Sequence, residues 1–571
     1  MGRGFTCLLL IALQTVPAVA QKKAPKWADK VSKAVITVET TSKDGQTRTG
    51  SGFFIRENGE AVAAYDLFRN AEKAVVTTSA GEKLPVTRIL GADNIYGVIR
   101  FEVDAPKKTA FLTPAKTAPQ TGSTVCIPPP EAAGELTRGA ISEITKVNGA
   151  YDYYKVEVPL PKSQESFPLL TEDGEVIALT QADASGQGKT YGISVAYIQS
   201  LQVASMDLLG RAYSEIGIRK AWPQPAEEAQ ITLLLYASRE DAATYLETLT
   251  DFIATFPDYP EGYVSRASHY AYYRRDLAPD ASSVMLDLAL EDLDRAGKLT
   301  KDRAETYFNK AKLIFSIATG DSTLSHKNWD VAAADEYLQK ALAEEDRPAY
   351  RQLEGDIALY IGDYERAYRA YSTVNQSPVA SGMSFYLAAK SRQQIPGYNY
   401  IEVIALLDSA VAKSPVSEAQ AYLLENVELK MQTGFYEQAV KDYDKYFIMT
   451  GGNVGNGFYY YREQARFRSN DLKGALEDIG RAISADPENA VYHAEKASVY
   501  LRMQEPVKAQ ECVEKAIALE PDFASAYRIL GICLVRREKK EEACEPFEKA
   551  RELGDPVVEK LIKENCNLNQ H

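Results

Sequence analysis

The rear half of the chain repeats itself, and that period constrains its fold more than any other feature. Small or apolar residues recur in pairs seven apart: Ala289/Ala296, Ala334/Ala341, Ala367/Val374, Val403/Ala410, Ala439/Tyr446, Ala475/Ala482, Ala509/Ala516 and Ala543/Ala550. Successive pairs begin 45, 33, 36, 36, 36, 34 and 34 residues apart. Apolar residues at i, i+4 and i+7 around these anchors predict helices. One helix pair per period cannot bury its own apolar face, so the pairs must stack into an all-α array. Leu293, Leu338, Tyr371, Leu407 and Tyr443, four beyond the anchors, are expected to fill the space between neighbours.

Proline stands twelve residues after the first anchor at Pro415, Pro487 and Pro521, and Gly362-Asp-Tyr and Gly434-Phe-Tyr punctuate the paired helices. The pattern resembles an array of tetratricopeptide repeats. It is regular over residues 420–553 and weaker before 345. The 45-residue step predicts an inserted loop around Gly320–Asn328, and residues 241–256 read as a helix of a ninth, degenerate unit. Pro546 is expected to delay or kink the last second helix, and residues 555–566 read as a capping helix. The resemblance implies a concave face lined by the first helices, and protein or peptide partners for it. Arg468, Arg502 and Arg536 fall 34 apart in one register there and form a candidate ladder for acidic groups. The same spacing also suits a merely solvated face. Tyr460, with Tyr270, Tyr272, Tyr273 and Tyr500, offers either binding area or inter-repeat packing.

The front of the chain differs. Residues 1–211 carry 23 Lys+Arg and 22 Asp+Glu, a balance of +1; the remainder carries 42 and 57, a balance of −15. An acidic array lacks the basic surface that phosphate contacts require, so nucleic acid is not an expected partner. Arg3, an apolar run from Phe5 to Leu13 and Ala18-Val19-Ala20 predict a signal peptide over residues 1–20. The chain is thus expected to be exported, to a periplasm first, with the cell surface or medium as alternatives. No segment is apolar for long enough to predict a membrane span. Behind the leader lie Cys126, Cys512, Cys533, Cys544 and Cys566, an odd number that leaves at least one thiol unpaired. No CxxC or close histidine pair supplies a metal ligand set, and no cofactor is expected.

Residues 27–209 read as strands. Short β-branched runs such as 34–40, 52–55, 73–78, 97–103 and 175–179 are separated by Asp44-Gly45, Asn58-Gly59, Ala80-Gly81 and Asp173-Gly174. The spacing predicts an all-β module of two six-stranded barrels. Residues 210–227, around Trp222-Pro-Gln-Pro, read as a linker to the repeats at 228–566.

Gly50-Ser-Gly-Phe-Phe-Ile55, Asn58-Gly59, Arg138-Gly-Ala-Ile-Ser and Pro168-Leu-Leu-Thr-Glu-Asp-Gly-Glu-Val-Ile-Ala resemble a trypsin-like serine protease of the HtrA type over roughly residues 30–200. Such an enzyme needs a histidine to take the serine's proton and a carboxylate to orient it. The matching positions here hold Asp66, Gly97 and, in the register set by Pro168, Glu165. All four histidines, at 269, 326, 493 and 571, lie beyond this module. Ser163 and Ser166 flank Glu165 but have no imidazole, and Lys162 or an Asp66/Glu165 pair would be atypical substitutes. The residues therefore favour a pseudoprotease joined to a repeat array, a scaffold rather than an enzyme. An active peptidase with an unusual site and a regulator of another protease are the alternatives.

Overall fold

The computed structural model describes residues 25–130, 135–183 and 188–566. The expected leader at 1–20 and His571 lie outside the described residues. The chain divides into two compact units, residues 1–282 and 283–571.

The first unit contains twelve strands among the described residues. β1 (Val35–Ser42), β2 (Thr47–Phe54), β3 (Glu60–Ala64), β4 (Ala71–Thr77), β5 (Lys83–Asp93) and β6 (Val98–Val103) close into a barrel in the order β1-β2-β3-β6-β5-β4. β7 (Thr124–Ile127), β8 (Thr137–Val147), β9 (Tyr151–Val156), β10 (Pro168–Thr171), β11 (Val176–Ala182) and β12 (Thr190–Ser194) close as β10-β11-β12-β9-β8-β7. Read as a ring, the second order repeats the first with six added to every number. Every pairing is antiparallel. Closure leaves neither sheet an open edge. This is the double barrel that the resemblance to trypsin-like proteases implies.

Each barrel has its own core, built around Phe54, Phe68 and Phe101 in the first and Tyr154, Phe167 and Leu169 in the second. A third cluster, including Phe53, Ile55, Val62, Leu170, Leu179 and Ile193, joins strands of both barrels and fixes them against each other.

Residues 210–227, read from sequence as a linker, are packed structure. Tyr213, Ile216 and Ile218 are buried in the core of the first barrel, and Lys220 bridges Ile89 of β5. Their apolar side chains are spaced too irregularly to announce a strand, and the turn-rich Trp222-Pro-Gln-Pro is the stronger local signal. Helices Ala226–Ala237, Ala242–Thr255 and Pro260–Tyr272 complete this unit.

The second unit is helical throughout, from Ser282–Thr300 to Val558–Asn565. Fifteen of the sixteen anchors are buried, and Tyr446 is half-buried. Ala289, Ala334, Ala367, Val403, Ala439, Ala475, Ala509 and Ala543 are fully buried, as small residues must be where two helices of a pair approach closely. Leu293, Leu338, Tyr371, Leu407 and Tyr443 are buried beside them. The inserted loop falls between Arg303–Gly320 and Val331–Glu344, where His326 bonds Asp287 at 2.9 Å. Pro546 does not delay its helix, which runs from Lys540 to Glu552 with the proline inside it. Proline there forgoes one intrahelical bond, and its ring is buried. The cap at Val558–Asn565 buries Val558 and Ile562 and is tied to the last repeat by a Cys544–Cys566 disulfide. Among the described residues no helix is long and apolar enough to cross a membrane.

Candidate functional site

The three positions that the resemblance matches to a triad line one cleft. This cleft, of about 910 Å³, is lined by Arg48–Ser51 of β2, Asp66 of the short helix Tyr65–Phe68 and Arg69 just after it, and Ile95–Gly97 between β5 and β6. Lys162, Ser163, Glu165 and Ser166 before β10 and Thr180–Ala182 of β11 close its other side. Asp66, Gly97 and Glu165 therefore share one cleft between the barrels, and both candidate serines share it with them.

What stands at each position differs from a proton-relay apparatus. Asp66 is exposed and ion-pairs with Arg69 at 2.6 Å, while Arg48 Nη1 donates to the carbonyls of Asp66 and Arg69 at 2.9 and 3.1 Å. Gly97 has a φ of 66°, a left-handed conformation that favours glycine, and its carbonyl accepts the Tyr65 N–H at 3.0 Å. It offers no carboxylate. The nearby Asp93 is occupied: it accepts the Ile95 and Tyr96 N–H groups and the Tyr197 hydroxyl.

In the loop before β10 the backbone N–H groups of Gln164, Glu165 and Ser166 are taken up by carbonyls of the chain itself. Lys162–Gln164 is a 3₁₀ turn in which the Gln164 N–H bonds Pro161 O at 2.8 Å and the Glu165 N–H bonds Lys162 O at 3.3 Å. An oxyanion hole needs such N–H groups free and aimed at the reacting carbonyl. Thr180 holds this form, its hydroxyl donating to Gln164 O at 2.7 Å and accepting the Phe167 N–H at 2.9 Å. Ser166 is buried with a φ of 64°, whereas Ser163, Lys162 and Glu165 are exposed.

His269 is the histidine nearest in sequence and belongs to the same compact unit, but it does not line the cleft. Its Nε2 lies 2.7 Å from Ala242 O, its ring packs against Tyr245 and Tyr273, and burial lowers its pKa. Sequence placed it beyond the barrel module; its role as a helix-packing residue emerges only from the fold.

In the second unit Arg468, Arg502 and Arg536 are the last residues of the first helices Asn456–Arg468, Ala490–Arg502 and Ala524–Arg536. All three are exposed. Arg468 lies over the Tyr436 ring at 5.6 Å and Arg502 over Phe467 at 4.9 Å, so their guanidinium planes are braced by aromatics. Tyr460 is half-buried against Tyr461 and Tyr492, at ring separations of 5.4 and 5.3 Å.

Near these residues lies a carboxyl group that sequence reasoning missed. Glu463 is fully buried, one oxygen accepting from Gln464 at 2.7 Å and the other, Oε1, without a partner. Burial, and then the neighbouring Glu495 charge, push its pKa up to about 8. It occupies a first-helix position that is small, Ala497 and Gly531, in the next two repeats, and that irregularity was its only signal.

Comparison with known proteins matches the helical unit. Residues 494–556 match the family model of the tetratricopeptide repeat. The small glutamine-rich tetratricopeptide repeat-containing protein 2 of Saccharomyces cerevisiae is 30% identical over 95 residues, 16% of this chain and 28% of that one. A TPR repeat-containing protein of Methanocaldococcus jannaschii is 23% identical over 299 residues, 49% of each chain. The chain thus spans between about a quarter and a half of these relatives' lengths. Among solved structures, the HtrA-type protease AlgW with tripeptide overlaps 33% of this chain and 64% of its own at 20% identity and a TM-score of 0.27. The double-barrel assignment rests on the strand pairing itself. The chain joins two closed six-stranded barrels to a helical unit whose residues 494–556 match the tetratricopeptide repeat.

Proposed function

We propose that this chain is a non-catalytic adaptor of the cell envelope. It binds proteins or peptides through its repeats and through a protease-like barrel pair, residues 27–209, that has lost its triad. The observation that carries this reading is the content of the cleft: Asp66 tied to Arg69, a bare Gly97, Glu165 at the nucleophile's position, and no histidine. A groove shaped for peptides survives loss of the chemistry, because binding needs only its walls. The apolar run and small residues of 1–20 support export, and the Cys544–Cys566 disulfide fits an oxidising compartment. Lys162, Ser163 and Ser166 on one cleft wall favour the second reading, an atypical peptidase.

On the repeats, the exposed Arg468, Arg502 and Arg536, the first two braced by aromatic rings, suit acidic peptides. The full chain and its triple charge-reversal variant (each Arg→Glu) should be titrated with fluorescent acidic peptides at low salt. The reading predicts about tenfold or greater loss of affinity in the variant, lessened by added salt. Unchanged affinity would remove the ladder. Affinity capture from envelope extracts separates adaptor from regulator by whether a protease is the retained partner.

A further inference from the structure

A second cavity, of about 220 Å³, lies between segment Gly217–Trp222 and helices Ala226–Ala237 and Ala242–Thr255. It shares no lining residue with the cleft. Most of its polar lining is already engaged. Asp251 accepts from Trp222 Nε1 at 2.8 Å, pairs with Arg88 and lies 3.4 Å from Arg219. Thr232 donates to Ser205 at 3.0 Å, Thr244 donates to Asp241 at 2.9 Å, and the Thr248 hydroxyl serves Glu240.

Two lining groups keep unused capacity. Glu240 Oε2 is buried with no hydrogen-bond partner. Lys220 donates one N–H, to Ile216 O, and an ammonium has three to give. They do not serve each other: the carboxylate that acts on Lys220 is Glu72. Desolvation is the largest influence on both, pushing Lys220 down and Glu240 up. Arg219 also faces Glu240, with Asp241 and Glu247 opposing it. The edge-on pair Trp222 and Tyr236 supplies apolar wall.

A cavity offering one unmet acceptor and unmet donors is complementary to a molecule carrying both charges. We propose that it binds a small zwitterion, an α-amino acid, whose ammonium meets Glu240 Oε2 and whose carboxylate meets Lys220 and Arg219. A simple amine would leave the lysine unmet and a simple carboxylate the glutamate, each at the cost of a buried unsatisfied group. At about 30 Å³ per water the volume equals roughly seven waters, enough for one small amino acid.

The test is calorimetric titration of the full chain with glycine and L-alanine, with ethylamine and acetate as single-charge controls. The expected result is binding of the amino acids at about 1 mM or tighter, with neither control binding comparably. Glu240→Gln and Lys220→Met should each weaken it by about tenfold or more. Equal response to ethylamine or acetate, unchanged affinity in either folded variant, or no heat with any amino acid overturns the proposal. A crystal structure at saturating glycine showing ordered water only does so too. Should a variant fail to fold, the comparison of glycine with the two controls on the natural chain still decides.

Discussion

Glu463 links burial to a measurable pH response. Its pKa rises from an ordinary 4.5 to about 8, chiefly through desolvation and secondly through Glu495, while Gln464 and Arg468 oppose the rise. The folded chain therefore holds a proton over this window that the unfolded chain releases. Stability is complete below about pH 4.5 and is lost as pH rises through about 8, at roughly 1.4 kcal/mol per pH unit within the window. Thermal unfolding at several pH values should show this slope, and Glu463→Gln should flatten it. An identical slope in the variant would mean that another group titrates. In the sequence Glu463 stands out only against Ala497 and Gly531 at the matching positions of the next two repeats. A glutamate on a helix normally reads as solvated, and its burial depends on the face that neighbouring first helices cover.

The elements were legible where their pattern was periodic. The anchors of the repeats follow one register, and close packing demands small side chains there; Gly355, which could not accept a Cβ because Tyr371 Cε1 lies 2.5 Å from that point, shows how tight these crossings are. Strands β5 and β8 were less legible. Register shifts at Val86/Arg88, Ile89/Gly91 and Ile141/Glu143 break the alternation that marks a strand. The bridging of Cys544 to Cys566 was equally hidden, since it depends on a cap folding back across 22 residues to bring the two Cα atoms within 5.6 Å. In the chain-entropy picture a loop of this length contributes roughly 3 kcal/mol. Replacing both cysteines by serine should therefore increase hydrogen exchange in Val558–Asn565 well before the rest of the array. Unchanged protection there would show that Val558 and Ile562 hold the cap without the bond.

At the scale of the whole molecule, the near-neutral front and the −15 rear coincide with different architectures, strands first and helices afterwards. The cleft was legible in part: the sequence located Asp66, Gly97 and Glu165, and the fold brings them to one wall-lined space. The closed 3₁₀ turn at Lys162–Gln164 was not legible, because it depends on Thr180 from a distant strand. The proposed adaptor role requires that this cleft perform no acyl transfer. Intact-mass analysis of the full chain after incubation with a fluorophosphonate tests it most directly, with casein hydrolysis measured in parallel. The expected result is no adduct and no cleavage. An adduct on Ser163 or Ser166 that disappears in the matching alanine variant would contradict it.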